Sequence, residues 1–289
     1  MSRIVGTLLL LLIIGLRPFA APTVALPNRA GTLKFAVLGD NGSGDAGQYE
    51  LAAQMAAVHQ VFAFTFVIMV GDNFYGSQTP ANLVKKFDRP YKPLLDAGVT
   101  FHAAIGNHDE PFTMNYPPLN MGGRRYYTYV RQQVRFFVLD TNIMDGPQLQ
   151  WFESELQQST EPWKIAYFHH PLYGNSDRHG SAVDIRVLIE PLLVKFGVAV
   201  VFTGHDHVYE RLKPQKGVYY FVTGSGGKLR TGDLVQSETS AAGFDRDQAF
   251  VIAEIDGDQL FFQAISRTGT TVDAGLIPRP LRPDQVRVP

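Results

Sequence analysis

The sequence predicts an α/β fold, on three observations. Short runs rich in Val, Ile and Phe alternate with longer amphipathic stretches, and Gly, Asp or Asn bound the runs. Hydrophobic residues make up 45% of the chain and charged residues 18%, the balance of a protein that buries a sizeable core. The runs at 33–38, 64–70, 99–105, 134–139, 164–168 and 198–203 read as strands buried on both faces. Residues 47–62 and 83–96 fill the first two gaps as helices. Pro147 sits where a first helical residue would, with Leu149, Phe152 and Leu156 following on one face. Residues 183–196 are apolar enough for a buried helix, which Pro191 is expected to kink or split. After residue 217 the pattern becomes strand and turn: 218–223, then 250–255 and 260–265 joined across Asp256-Gly257-Asp258 as a hairpin. Residues 229–248 read as a long loop. The tail 278–289, with four prolines and three arginines in twelve residues, reads as disordered. No repeat or linker divides the body, so residues 26–277 are expected to form one domain.

Composition narrows the chemistry. The chain has 289 residues with 26 Lys+Arg against 27 Asp+Glu, a net charge of -1, so bulk electrostatics point neither to nucleic acid nor to an anionic membrane surface. It has no cysteine, which excludes disulfides, thiolate catalysis, zinc fingers and iron–sulfur clusters. Eight histidines leave oxygen and imidazole chemistry open. Arg3, a thirteen-residue apolar run over 4–16 and small residues at Ala20, Ala21 and Ala25 have the layout of a secretory signal peptide. The run is shorter than the roughly 20 residues of a membrane span. Residues 1–25 are therefore expected to direct export, secreted or periplasmic, and to leave no stable membrane insertion after cleavage.

Five of the strands run straight into metal-competent side chains. The first ends in Gly39-Asp40-Asn41-Gly42, the second in Gly71-Asp72-Asn73-Phe74-Tyr75 and the third in Gly106-Asn107-His108-Asp109. Residues 164–168 lead into His169-His170-Pro171, and 198–203 into Gly204-His205-Asp206-His207. In α/β sheets the loops at the carboxyl ends of strands collect at one edge, where sites are built. A Gly ahead of the polar residue lets the chain turn sharply and lets backbone approach an ion. Any one of these pairs is ordinary turn chemistry; five turns that all gather Asp, Asn, Tyr and His are not. Carboxylate, carboxamide and imidazole with a phenol and no thiolate suit iron, manganese or zinc, and the Tyr favours a hard trivalent ion. More than four donors suggest two ions bridged by a shared carboxylate.

In this order the motifs Asp40-x-Gly42, Gly71-Asp72-x-x-Tyr75, Gly106-Asn107-His108-Asp109, His169-x-Pro171 and Gly204-His205-x-His207 resemble the purple acid phosphatases within the calcineurin-like metallophosphoesterases. The likeness is greatest to the small, tartrate-resistant type. The resemblance implies a four-layer sandwich, two mixed β-sheets flanked by helices. It implies an iron(III) site of Asp40, Tyr75, His207 and the shared Asp72, and a second, divalent site (Fe, Zn or Mn) of Asp72, Asn107, His169 and His205. His108 and His179 match positions that face the substrate. The activity implied is acid phosphatase, the hydrolysis of phosphate monoesters by metal-hydroxide attack.

Two alternatives stand beside it: a secreted calcineurin-like phosphodiesterase or nucleotidase with two divalent ions, and a non-catalytic metal- or phosphate-binding protein. A small-molecule phosphate ester is the expected partner and the expected state is a monomer. His170 is expected to support the site, His102 to pack in the core and His59 to be exposed. Asp109 and Asp206 are candidates to orient imidazoles, and turn stabilisation accounts for them equally. Many animal and plant members carry cysteines and glycans, whereas the single Asn-x-Ser/Thr acceptor here, Asn41-Gly42-Ser43, lies inside the proposed metal loop.

Overall fold

A computed structural model of the protein describes residues 23–280. Its elements in chain order are β1 (Leu33–Leu38), α1 (Ala46–Val61), β2 (Phe66–Met69), α2 (Pro80–Leu83), α3 (Lys92–Asp96), β3 (Thr100–Ala103), β4 (Tyr127–Arg131), β5 (Val134–Val138), α4 (Gly146–Gln158), β6 (Trp163–Tyr167), α5 (Val183–Lys195), β7 (Val200–Thr203), β8 (Tyr209–Leu212), β9 (Tyr219–Thr223), β10 (Ser240–Phe244), β11 (Ala249–Asp256), β12 (Gln259–Ser266) and β13 (Thr271–Pro278). They form two sheets, ordered β13-β12-β11-β1-β2-β3 and β10-β8-β9-β7-β6-β5-β4. Both are mixed. The segment β1-β2-β3 is parallel, as is β5-β6-β7-β9, while antiparallel strands complete each sheet.

Strand alternation sets the layers. In β5, Val134, Phe136 and Val138 join the core shared by the two sheets, while Phe137 between them joins a second cluster on the outer face. The inner layer is aromatic: Phe136 lies edge-on to Phe35 and Phe66 at centroid distances of 5.6 and 5.5 Å, and Phe221 meets Phe262 at 5.0 Å. Helices α4 and α5 cover the outer face of the second sheet through Phe152, Leu156, Ile185, Ile189 and Leu193. Helices α1, α2 and α3 pack on the first through Leu51, Met55, Val58, Leu83 and Leu94. The result is helix, sheet, sheet, helix, the four-layer sandwich implied by the motifs. Asp45 and Asp145 start α1 and α4, each accepting the backbone N–H three residues on, at 3.1 and 3.0 Å.

Four local differences from the expected elements have physical causes. The helix expected over 83–96 is broken: a π turn over Val84–Asp88, closed by Arg89 N–H to Val84 O, separates α2 from α3, and Pro90 has no N–H to continue the ladder. Helix α5 runs through Pro191 instead of splitting there, since Pro191 and Val187, the residue four back whose carbonyl loses its donor, both lie on the exposed face. The expected loop 229–248 contains β10, an edge strand paired to β8. The expected disordered tail starts in structure: Pro278 closes β13 opposite Gln259, and Arg279 pairs with Asp258 at 2.7 Å.

Residues 281–289 lie outside the described residues, as do 1–22 of the predicted signal. Folded contacts begin ahead of residue 26, with Gln263 donating to Thr23 O at 2.9 Å and accepting from Ala25 N–H at 2.8 Å. No helix among the described residues is long and apolar enough to cross a membrane.

Candidate metal centre

The parallel strands β1, β2 and β3 of one sheet and β6 and β7 of the other end at a common edge, and there the predicted site residues meet. Asp40 Oδ1, the Tyr75 hydroxyl and His207 Nε2 form one group, with Tyr75 2.8 Å from Asp40 and 3.1 Å from His207. Asn107 Oδ1, His169 Nε2 and His205 Nδ1 form another, with both imidazole nitrogens 3.0 Å from the amide oxygen and 3.2 Å from each other. Asp72 belongs to both. Its Oδ1 lies 3.3 Å from His169 Nε2, and a carboxylate oxygen of Asp72 lies within 4.8 Å of ligand atoms of Asp40 and His207.

This arrangement fits cations. Donors bound at about 2.1 Å and at right angles around one ion stand about 3 Å apart, the spacing seen in both groups. His169 Nδ1 lies 3.1 Å from Val70 O, a group that only accepts, so Nδ1 carries the proton. The bare Nε2 lone pair then faces the carboxylate of Asp72 and the amide oxygen of Asn107, which is unfavourable without a positive charge among them. Asp40 and Asp72 are almost fully buried. Burial and the neighbouring Asp72 hold the Asp40 carboxyl well above the usual range. Burial also lowers the imidazoles, His169 far below its usual value, His205 to about 2 and His207 to about 4. Burial thus disfavours the charged form of all three, the form that cannot ligate a metal. The Tyr75 phenol is pushed up by burial and by the Asp40 and Asp72 carboxylates, so only a strong cation would ionise it.

The local backbone is shaped for this convergence at a cost. Asp40, Asp72 and His205 adopt φ of +53°, +51° and +70°, left-handed values that side-chain-bearing residues avoid and that cluster at functional sites. Two glycines make the approach possible. A Cβ on Gly106 would stand 2.2 Å from Asp72 Oδ1, and one on Gly204 2.3 Å from Asp40 Oδ2. Backbone donors then hold the carboxylates, His205 N–H to Asp40 Oδ2 and His108 N–H to Asp72 Oδ1, both at 2.9 Å.

The surrounding residues sort by contact. His108 lies against Tyr75, ring centroids 4.8 Å apart, and His179 against His205 at 4.3 Å, so the two expected substrate-facing histidines flank the two donor groups and are both exposed. His170 stands beside the second donor group. It groups with His169 and His205, while its Nδ1 contacts Thr141 Oγ1 at 2.8 Å. Asp109 orients no imidazole. It accepts from Asn73 Nδ2, Phe74 N–H and Gly106 N–H at 2.7, 3.0 and 2.8 Å and staples two ligand loops together, its carboxyl pushed up to about 7 by burial and by Asp72. Asp206 is buried and forms no hydrogen bond to an imidazole. His102 packs in the core as expected, stacked on Tyr129 at 4.4 Å. His59 is half-buried against Phe64 rather than exposed. Asn41 is fully buried, out of reach of a glycan.

Sequence reasoning passed over Gln78, whose buried amide donates to His108 O at 2.7 Å, and assigned no chemistry to the Ser225-Gly226-Gly227 turn after β9 or to the residues that follow it. In that loop Lys228 N–H donates to Asp40 O and Arg230 N–H to His207 O, both at 3.0 Å. The available signal was Gly226-Gly227, the same glycine punctuation at the end of another parallel strand. Beside Asn107 and His170 opens a cleft of ≈ 620 Å³ walled by Met114, Ile143, Ile185 and Arg125.

The chain belongs to the calcineurin-like phosphoesterase family, whose model matches residues 33–209. Within it, its similarity is to acid phosphatases. It is 25% identical to tartrate-resistant acid phosphatase type 5 of Oryctolagus cuniculus over 68% of this chain and 73% of that protein, and 23% identical to the Rattus norvegicus enzyme of that name over 89% and 98%. To purple acid phosphatase 1 of Ipomoea batatas it is 30% identical over 53% of this chain and 38% of that protein. Among solved structures, the purple acid phosphatase PPD1 from yellow lupin seeds superposes with a TM-score of 0.72 at 20% identity, over 88% of this chain and 55% of that one. GAP50, the anchor in the inner membrane complex of Plasmodium, superposes with a TM-score of 0.76 at 18% identity, over 87% and 90%. Both structures share the fold.

Proposed function

We propose that this protein is an exported acid phosphatase that hydrolyses phosphate monoesters at an Fe(III)–M(II) pair, with residues 26–277 as its catalytic domain. The observation that carries this reading is the two groups of donors, one containing Tyr75, that meet at the buried carboxylate of Asp72. Asp40, Tyr75 and His207 would hold the trivalent ion, Asn107, His169 and His205 the divalent one, and Asp72 both. A bound pair of this kind supplies Lewis acidity and an ionised water at acid pH. The protein's own part is to fix geometry and move protons. Asp109 locks the loops that carry Asp72 and Asn107, so neither ligand drifts. His108 and His179, exposed at the rim, would donate a proton to the leaving alkoxide or neutralise the phosphoryl oxygens.

Purified protein loaded with iron and a divalent metal is expected to hydrolyse p-nitrophenyl phosphate with its optimum on the acid side; no hydrolysis between pH 4 and 8 sinks the reading. Tyr75 supplies an independent test. Phenolate bound to iron(III) absorbs in the visible, so the loaded protein should be purple to pink and Tyr75→Phe colourless with its circular dichroism unchanged. A colourless but active wild type would point instead to two divalent ions and a diesterase.

A further inference from the structure

The loop after β9 brings two cations to the His207 side of the centre. Lys228 is committed: its Nζ lies over the Tyr75 ring, 5.0 Å from the centroid. Arg230 is not. Its backbone N–H is fixed to His207 O at 3.0 Å and its side chain is half-buried, yet its Nη1 is buried with no hydrogen-bond partner among the described residues. Other guanidiniums in this protein have carboxylates to hold: Arg125 bonds Asp140 and Asp145, Arg135 bonds Glu161, and Arg211 bonds Asp273. The acid nearest in sequence, Asp233, is engaged by the Ser176 hydroxyl. The backbone bond to His207 keeps Arg230 beside the group that contains Tyr75 and His207, and its charge is felt by Asp40, His207 and His179.

A buried donor left without a partner is unfavourable, and a guanidinium is shaped to receive phosphate oxygens. A phosphate monoester offers three terminal oxygens and two negative charges, whereas a diester offers two oxygens and one charge. We propose that Arg230 is a substrate-binding residue whose guanidinium takes the additional terminal oxygen of a monoester and so sets a preference for monoesters over diesters. The assignment rests on the phosphatase reading above. It gives the His207 side of the centre to the dianionic phosphate and leaves the cleft beside Asn107 and His170 for the leaving group.

The test compares metal-loaded wild type with Arg230→Ala and Arg230→Lys. It measures kcat/KM for p-nitrophenyl phosphate and bis(p-nitrophenyl) phosphate, the Kd of inorganic phosphate by calorimetry, and metal content. Arg230→Ala should lower monoester kcat/KM by about 100-fold while diester turnover stays within about threefold. Phosphate should bind at least about tenfold more weakly, with metal content unchanged and activity partly restored by added guanidinium. Arg230→Lys should fall between, retaining charge without the fork. Equal losses on both esters, or an unchanged Kd for phosphate, overturn the proposal. A wild type that hydrolyses neither ester removes the phosphatase reading, and the phosphate titration then decides Arg230 alone.

Discussion

Asp72→Ala is expected to abolish phosphatase activity, a fall in kcat/KM of about 10³-fold or more, and to release bound metal. Asp72 is the candidate ligand that reaches both donor groups, and its carboxylate is buried within 4.8 Å of the ligand atoms of Asp40 and His207. Its Oδ1 also anchors His108 through the backbone N–H at 2.9 Å, so the substitution loosens a rim histidine together with the centre. Removing one negative charge from beside Asp40 leaves that carboxyl with burial as its main perturbation, and it should ionise more readily. Elemental analysis alongside turnover makes the check: an Asp72→Ala protein that keeps two equivalents of metal and wild-type activity refutes a shared ligand.

The largest effect on stability is expected at Phe136. It is fully buried on β5 between the sheets, edge-on to Phe35 and Phe66 and stacked on Tyr129 at 5.1 Å. Phe136→Ala removes contacts to both sheets and leaves a void that close-packed strands cannot close. The cost is about 3–5 kcal/mol, or a Tm lower by about 10 °C. Phe112→Ala is the control: that ring is 40% exposed, and its loss should move Tm little. Thermal unfolding followed by circular dichroism distinguishes the two, and equal shifts would mean that the inter-sheet layer does not dominate the packing.

What could be read in advance follows from the range of the forces involved. Leu33–Leu38 matched its expected bounds because a strand buried on both faces is an almost wholly apolar run, here broken only by the half-buried Lys34, a property of neighbouring residues alone. The loops after it were legible for the same reason, since Gly39-Asp40 and Gly204-His205 are local signatures. Strands β8 and β10 were not. Tyr-Glu-Arg-Leu puts two charged residues mid-strand and Ser-Ala-Ala-Gly-Phe carries little strand propensity, and β10 finds its partner, β8, roughly thirty residues back along the chain. Glu210 bonds Asn175 and Ser240, and Arg211 bonds Asp273. Such pairings make charged residues tolerable inside a sheet and leave no local trace. The division into two sheets was hidden from periodicity too, because β1 pairs with β11 across more than half of the chain. It came instead from the resemblance of the five motifs. Arg230 went unread because a basic residue in a Gly-rich loop looks solvated until the fold shows what its backbone holds.

The donor groups draw on both sheets: Asp40, Asp72, Tyr75 and Asn107 stand on loops of one, His169, His205 and His207 on loops of the other. Ions held among them would be cross-links between the halves of the sandwich, in a chain that has no cysteine to make one. Such links impose an order of assembly. Neither sheet alone presents a complete set of donors, so loading would follow the docking of the two layers, and loss of the ions would unclasp the loops at that edge before it disturbed the aromatic interior.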